Sequence, residues 1–469
     1  MNPVSRNPLD LSEIRKRLSL FLTSKDALAC ARVCRTWSKD FLSAIWHTIE
    51  DSSQTKLAAL DPSIIAKHGH HIRVLKSLPP QGKLLDMLQD TSVSNLKSLS
   101  IVTTPTQVLL AHYYDIIRRN VGSLKMVNLS FPRPNGVGVY FVTESLSPQT
   151  HTGDTSKLSY LKLQGLQMTR TAFSMLLQSC PVLEHIDMYD TVLHSAINMD
   201  KYQHPRLSKL TAPIEQVFSP DPAMTTAPSL LIHFPNLSQW ETWQISQTLN
   251  IDIDMINKEI TRCLSNFTVI HTRPGGLSLA NMLIYGFKGL TEICVPHKHL
   301  SPEFIIATLN HQETLTTFMT TPPSSDTFFQ PNSNQQIPAV EDFLTSSGWM
   351  LHFIPRECSR LKKISLPTHG IRMDDVDKIG WMCNDLEILH IRVKGLDTEE
   401  QINVTLKMWL KAKNSARRNS KPDLSAYDLY YHSQERDERY VSIEARVARH
   451  LLKFEKLHTV WLGTKVWRA

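Results

Sequence analysis

Leu158-Ser-Tyr-Leu161-Lys-Leu163 and, one step along the chain, Leu183-Glu-His-Ile186-Asp-Met188 share one spacing, apolar-x-x-apolar-x-apolar. The last two apolar residues of each hexad lie two apart. In an extended chain they point to one side, and the residues between and before them point to the other. Further clear copies begin at Leu96 (with Leu99 and Ile101), Leu124 (Val127, Leu129), Leu290 (Ile293, Val295), Leu361 (Ile364, Leu366), Leu386 (Leu389, Ile391) and Leu457 (Val460, Leu462). Weaker ones begin at Ile72, Leu207, Leu237, Phe267 and Leu315. From Leu96 to Leu386 the steps average about 29 residues, which suits one short strand with a helical return and is too long for a hairpin. A single unit cannot bury its apolar side, whereas a stack can. The expectation is an α/β solenoid with parallel strands on its concave face over residues 71–469. Helical returns are predicted over 171–177 and over 251–264, where Ile253, Ile256, Ile260 and Leu264 keep helical spacing.

Two stretches break the repeat. Residues 320–336 are rich in Pro, Ser, Asn and Gln, so an insertion is expected over 320–350. A second, over 397–453, combines a basic helix at 402–413, a Tyr-rich loop (Tyr427, Tyr430, Tyr431) and a charged helix over 434–454. The array resembles the leucine-rich repeats of the long, irregular intracellular type, without the asparagine ladder of the most regular members.

Composition narrows the class. The 469 residues are 41% hydrophobic and 20% charged, too apolar for disorder and too long for one core. No apolar run approaches the roughly 18 to 20 residues of a spanning helix, and the opening ten residues hold no apolar block, so neither a membrane span nor a secretory signal is expected. Seven scattered cysteines suit a reducing compartment, hence a cytoplasmic and/or nuclear protein. On that reading the Asn-x-Ser/Thr matches at Asn128, Asn236, Asn266 and Asn403 are chance. The net charge of +7 sits entirely in the tail: from residue 401 onward there are 14 Lys and Arg against 7 Asp and Glu, and the rest of the chain is balanced at 37 each. Lys407, Lys411, Lys413, Arg417, Arg418 and Lys421 form one acid-free stretch, read first as a solvated helix end and loop.

Residues 10–49 hold 20 apolar residues in 40 and divide into three helical patterns. Leu11, Ile14, Leu18 and Leu22 follow 3-4-4 spacing. Thr23-Ser24-Lys25-Asp26 then offers a capping-box-like start for a helix through Leu28, Cys30 and Val33, and a third stripe runs through Phe41, Leu42, Ile45, Trp46 and Ile49. So small a unit cannot cover this much apolar surface itself. At about 1.5 to 3 kcal/mol per large side chain, four or five left exposed would anchor a partner. Leu18, Leu28 and Val33 are expected in the core.

Leu11-Ser12-Glu13-Ile14, Leu18, Leu22, Asp26, Leu28, Val33-Cys34, Trp37 and Leu42 to Trp46 fall in the order and spacing of an F-box, which this segment resembles. Ser12 stands where the family usually has proline; it can cap the helix instead. The resemblance implies an α+β chain with an N-terminal three-helix F-box at 8–50, a linker helix at 51–70 and the repeat solenoid behind. It further implies a substrate-recognition subunit of an SCF-type cullin–RING ubiquitin ligase. Pro8, Leu9, Leu11, Ile14, Cys34, Trp37 and Trp46 would dock on a Skp-type linker protein and through it on cullin. The repeats would bind a protein substrate at strand positions facing away from the apolar pair: Tyr160, Lys162, His185, Asp187, Lys209, His390 and Trp461.

The chain is expected to be a non-catalytic adaptor. It has no phosphate loop ending in Gly-Lys-Ser/Thr, no His-Glu-x-x-His and no Gly-x-Ser-x-Gly. Cys30 with Cys34 are expected as buried thiols. His68, His70 and His71, and Cys294, His297 and His299, lack the ligand spacing of a metal site, so neither metal nor cofactor is expected. Two alternatives stand beside this reading: a leucine-rich scaffold acting outside the ligase, and a nucleic-acid-associated protein using residues 407–421. A membrane partner is not expected and a nucleic-acid partner is disfavoured.

Overall fold

The computed structural model of the chain describes residues 9, 11–49, 61–78, 88, 93–102, 113, 115–131, 156–189, 191–194, 202–218, 229–243, 258, 260–263, 266–272, 284–296, 300–321, 350–419, 442–463 and 465–468. It is an α+β protein that divides into two compact units, Met1–Leu237 and Ser238–Ala469.

The first unit opens on three helices, α1 (Ser12–Ser19), α2 (Ser24–Ala31) and α3 (Arg35–His47). The Thr23 hydroxyl accepts from the Asp26 N–H and donates to the Asp26 carboxylate, the expected start for α2. Helix α3 runs straight into strand β1 (Thr48–Ile49), so Ile49 of the predicted third stripe lies in the sheet. Helix α4 (Pro62–His68) follows, then β2 (Val74–Leu78), β3 (Ser98–Val102), β4 (Met126–Ser130), β5 (Tyr160–Gln164), β6 (Gln167–Thr169), α5 (Arg170–Ser179), β7 (His185–Tyr189), β8 (Val192–His194), β9 (Lys209–Thr211) and a single turn, α6 (Ile214–Val217). Strands β1, β2, β3, β4, β5, β7 and β9 pair in that order, all parallel, and β6 and β8 form a separate parallel pair. Register brings Ile49, Leu75, Leu99, Val127, Leu161, Ile186 and Leu210 into one row, each at most 2% exposed.

The second unit continues the plan with β10 (Gln239–Thr242), β11 (Val269–Thr272), β12 (Glu292–Pro296), α7 (Pro302–Leu309), β13 (Thr317–Thr321), α8 (Phe353–Glu357), β14 (Lys363–Ile371), α9 (Met373–Ile379), β15 (Ile388–Val393), α10 (Glu399–Asn419), α11 (Ile443–Leu452), β16 (Thr459–Leu462) and β17 (Lys465–Arg468). Strands β10 to β16 are parallel, and β17 turns back antiparallel on β16. Here the buried row runs from Trp240 through Ile270, Ile293, Phe318, Ile364 and Leu389 to Val460. The helix expected over 251–264 lies mostly outside the described residues, and so do residues 322–349 of the first insertion.

The leading residue of every hexad, weak copies included, is buried, from Ile72 and Leu96 through Phe267 to Leu457. Its N–H must therefore find a partner. In six repeats a tight turn supplies one: Ile72, Leu183, Leu237, Leu361, Leu386 and Leu457 donate to the carbonyls of Gly69, Cys180, Phe234, Cys358, Cys383 and Phe454, while Leu124 and Leu315 donate one residue further back, to Asn120 and His311. Where Leu96 and Leu290 lack that turn, a side chain of the following repeat substitutes. Asn120 Oδ1 accepts from the Leu96 N–H at 2.8 Å, and His311 Nδ1 accepts from that of Leu290 at 3.2 Å. Asn120 also donates to the Val93 and Ile116 carbonyls, and His311 Nε2 faces the Ile284 carbonyl at 3.1 Å. His204 does the same within its own repeat, accepting from the Leu207 N–H at Nδ1. Burial pushes the His204 and His311 pKa values down, against a smaller upward pull from the Cys180 and Ile284 carbonyls, which favours the neutral ring that an accepting Nδ1 requires. Within each unit the residue after the leading position adds a second tie to the repeat that follows: its carbonyl receives two N–H groups, as when Lys97 and Ser98 both donate to Arg73.

The second insertion differs from expectation in one respect. Helix α10 turns Thr405, Leu406, Trp409, Ala412 and Lys413 inward, a run at helical spacing. The Lys413 ammonium donates to the Leu457 carbonyl and lies 5.4 Å from the Trp409 ring centroid. Lys413 thus leaves the expected basic surface, where Lys407 and Lys411 remain exposed; Lys421 lies outside the described residues. Helix α11 packs against α10 and buries His450, whose ring meets Trp381 and Phe454 edge-on at 5.2 Å each.

Two outcomes follow from these buried polar groups. Replacing Asn120 with Ala orphans the Leu96 N–H and two carbonyls, and should lower stability by about 2 to 4 kcal/mol in urea unfolding. Burial first, then the charge of Lys453, lowers the His450 pKa from 6.5 to about 4, against a partial upward pull from Asp377. Its contribution is therefore complete above pH 6.5 and is lost as pH falls towards 4, on the order of 3 kcal/mol in all. His450→Leu should flatten the pH dependence of the urea midpoint across that window.

Candidate functional site

The three N-terminal helices are held from inside by charge as much as by apolar packing. Among the apolar residues of 11–47 only Ala27 and Phe41 are buried. Arg15 and Asp40, 3% and 6% exposed, form an ion pair with Nη2 to Oδ2 at 2.6 Å and Nε to Oδ2 at 2.7 Å. The Ser12 hydroxyl donates to Asp40 Oδ1 at 2.7 Å, and Arg15 Nη1 donates to the Leu9 carbonyl at 2.6 Å. Ser12 therefore ties α1 to α3; it does not cap, and Leu11 at the cap position offers no side-chain acceptor. Burial raises the Asp40 pKa, but the Ser12 and Arg15 hydrogen bonds and the Arg15 and Lys16 charges outweigh it and hold the carboxyl below its ordinary range.

With this polar centre turned inward, the apolar residues face out. Leu11, Ile14 and Leu18, at 3-4 spacing on α1, are 45%, 36% and 41% exposed. Leu20 and Phe21, just past the end of α1, reach 76% and 83%; Leu28 and Val33 reach 42% and 64%. Seven of the 15 large apolar side chains exposed among the described residues thus fall within residues 11–33. A patch of this kind is a contact surface waiting for cover.

The expected core places for Leu18, Leu28 and Val33 are wrong: a module this small closes on Arg15, Asp40 and Phe41 and has no interior left for them. Leu11 and Ile14 are exposed as a docking role requires, and Leu9 is half-buried. Cys34 is exposed and Cys30 half-buried, so they are not the expected buried pair. Trp37 packs its ring 5.7 Å from Phe41, and Trp46 stacks on His68 at 5.1 Å, so both tryptophans serve the interior in part. Pro8 lies outside the described residues. Leu20 and Phe21 were absent from the expected interface because they fall off the 3-4-4 stripe. The signal for them was the adjacent Leu-Phe-Leu run of residues 20–22, too dense for one helix face.

The expected substrate positions lie on the polar side of the sheets. In the first unit Tyr160, His185 and Lys209 are paired across β5, β7 and β9, with Lys162 beside Asp187 in the adjoining row. The Tyr160 and His185 rings meet edge-on at 4.7 Å, and His185 Nε2 lies 3.2 Å from the Thr211 hydroxyl. Asp187 is only 8% exposed, which leaves it little to offer a ligand. In the second unit His390 pairs with Trp461, ring centroids 5.7 Å apart. Its two ring nitrogens face the Ser365 hydroxyl and the Gly463 carbonyl, and burial lowers its pKa. His71 stacks on His68 and meets His70 at a tilt, while Cys294 is buried with its thiol pushed up to about 11; His297 and His299 lie outside the described residues. No described helix is long and apolar enough to cross a membrane.

Compared with known proteins, the chain matches no family model and no curated protein.

The ion pair is the part of this module most open to a direct test. Asp40→Ala strands a buried guanidinium, and should cost roughly 3 kcal/mol. Hydrogen exchange should show the loss in α1 and α3 while the strands keep their protection. Because the Asp40 pKa is depressed, its contribution is present above the ordinary carboxylate range and disappears as pH falls below it.

Proposed function

We propose that the chain is the substrate-recognition subunit of an SCF-type cullin–RING ubiquitin ligase, with the three N-terminal helices as the F-box that docks on a Skp-type linker protein. The observation that carries this reading is the outward apolar surface of Leu11, Ile14, Leu18, Phe21, Leu28 and Val33 on a module with almost no apolar interior. Completing the burial of four or five of these side chains is worth several kcal/mol at about 1.5 to 3 kcal/mol each, enough to offset part of the cost of association. The sheets behind the helices read as leucine-rich repeats whose polar strand side presents a protein for ubiquitylation. In this reading the chain itself does no chemistry: it binds, and transfer belongs to the ligase it recruits to. The order and spacing from Leu11 to Trp46 support the same assignment, with Ser12 serving as an internal tie where the family has proline.

The test is co-purification of linker and cullin with the full-length chain. Leu11→Asp with Ile14→Asp should reduce linker recovery at least ten-fold, and Phe21→Asp should reduce it alone, with thermal unfolding of the sheets unchanged. Recovery of linker at the wild-type level by both variants would sink the assignment.

A further inference from the structure

The residue that follows each leading leucine lies at the rim where the strands begin, and its backbone is committed to the double hydrogen bond between repeats. Its side chain is free to vary. In several repeats that side chain closes on a neighbouring rim residue. Ser159, Ser208, Thr291 and Thr316 donate their hydroxyls to the carbonyl of the preceding rim residue, and Lys362 pairs with Glu387 at 3.7 Å.

The start of the first unit breaks this habit. Backbone hydrogen bonds run from Arg73 N to His47 O, from Lys97 N to Arg73 O and from Lys125 N to Lys97 O, so four basic residues, each immediately before one of the strands β1 to β4, stand in one file. At about 4.8 Å per strand the file is roughly 14 Å long. Arg73 is half-buried and donates to the His70 and Ile72 carbonyls; His47, Lys97 and Lys125 are exposed. None of the four has a carboxylate partner among the described residues. The His47 pKa is pulled down, by burial first and then by the charges of Arg73 and Lys97, so these groups share one electrostatic neighbourhood. Like charges on neighbouring strands work against folding, and the hydroxyl-bearing repeats show that the position needs no base. After Ser159 the next rim residue is Glu184, where the sign reverses.

We propose that this rim binds an acidic segment of a protein partner, laid across the strands so that its carboxylate or phosphorylated side chains meet Arg73, Lys97 and Lys125. A single file of three permanent cations suits a short acidic peptide better than nucleic acid, which calls for a broad basic face. The inference does not rest on linker docking.

The test is fluorescence anisotropy of the full chain with four labelled probes: a Glu-Gly repeat peptide, its phosphoserine counterpart, its Gln counterpart, and oligothymidine of equal length. Wild-type protein should bind one or both acidic peptides over the Gln peptide, and the tighter of the two names the preferred anion. Lys97→Glu with Lys125→Glu should weaken that binding by roughly ten-fold or more, and Lys97→Arg with Lys125→Arg should preserve it. Reversal of the exposed Arg392, in the second unit, should leave it unchanged. Equal binding of Glu and Gln peptides, indifference to the charge reversal, or tighter binding of oligothymidine would each overturn the proposal.

Discussion

Within each unit the strands begin at a rim carbonyl whose pairing is completed by the neighbouring repeat. The leading leucine is buried, and its N–H is paired within the repeat by a turn or by a side chain such as His204, or else by a side chain borrowed from the next repeat, Asn120 for Leu96 and His311 for Leu290. The rim carbonyl that follows takes two N–H groups from the neighbour in the same way. Register is thus settled by the rim hydrogen bonds, and a second time where Asn120 and His311 reach across, before the apolar rows through Leu99 and Ile293 add their burial. A slip of one residue would turn those rows to solvent and break both pairings together.

The N-terminal helices solve the opposite problem. They are too few to enclose a core, and the Arg15–Asp40 pair with Ser12 supplies the inward contact that apolar residues would supply in a larger domain. A buried ion pair is a costly way to hold two helices, since desolvation offsets much of its attraction. It has one consequence that an apolar centre lacks: Leu11, Ile14 and Leu18 are released to face outward. Helix α3 then passes directly into β1, and the Arg73 N–H bonds to the His47 carbonyl, so the helices are joined to the sheet by its own hydrogen bonding.

Much of the sheet was legible in the hexads because period-2 burial and a fixed lead residue leave a mark on every copy. Even the weak copies at Leu207, Leu237 and Leu315 fold as the strong ones do. The recurrent Cys-Pro-Val-Leu183, His-Pro-Arg-Leu207 and Phe-Pro-Asn-Leu237 would have located the turn before each strand. Other features were beyond a pattern in one dimension. Arg15 and Asp40 are 25 positions apart, and nothing local marks them as partners. Lys413 reads as one more base in a basic run, and its burial follows only from the face that Leu406 and Trp409 impose on α10. Of the candidate site, the stripe on α1 was legible but its direction was not: the same spacing serves a helix facing a core and a helix facing a partner.

That ambiguity is resolved by volume. A stripe of Leu11, Ile14 and Leu18 turned inward would need facing apolar surface on α2 and α3, and the inward positions there are taken by Ala27, Asp40 and Phe41. Inverting the module would place the Asp40 carboxylate and Arg15 guanidinium in water, where their attraction falls to a fraction of a kcal/mol, and would ask one phenylalanine and one alanine to cover three leucine-sized side chains. The outward arrangement keeps the charges paired and leaves only apolar surface unsatisfied. Unlike an unpaired charge, that surface can be covered by any partner of complementary shape, which makes it suited to a reversible contact.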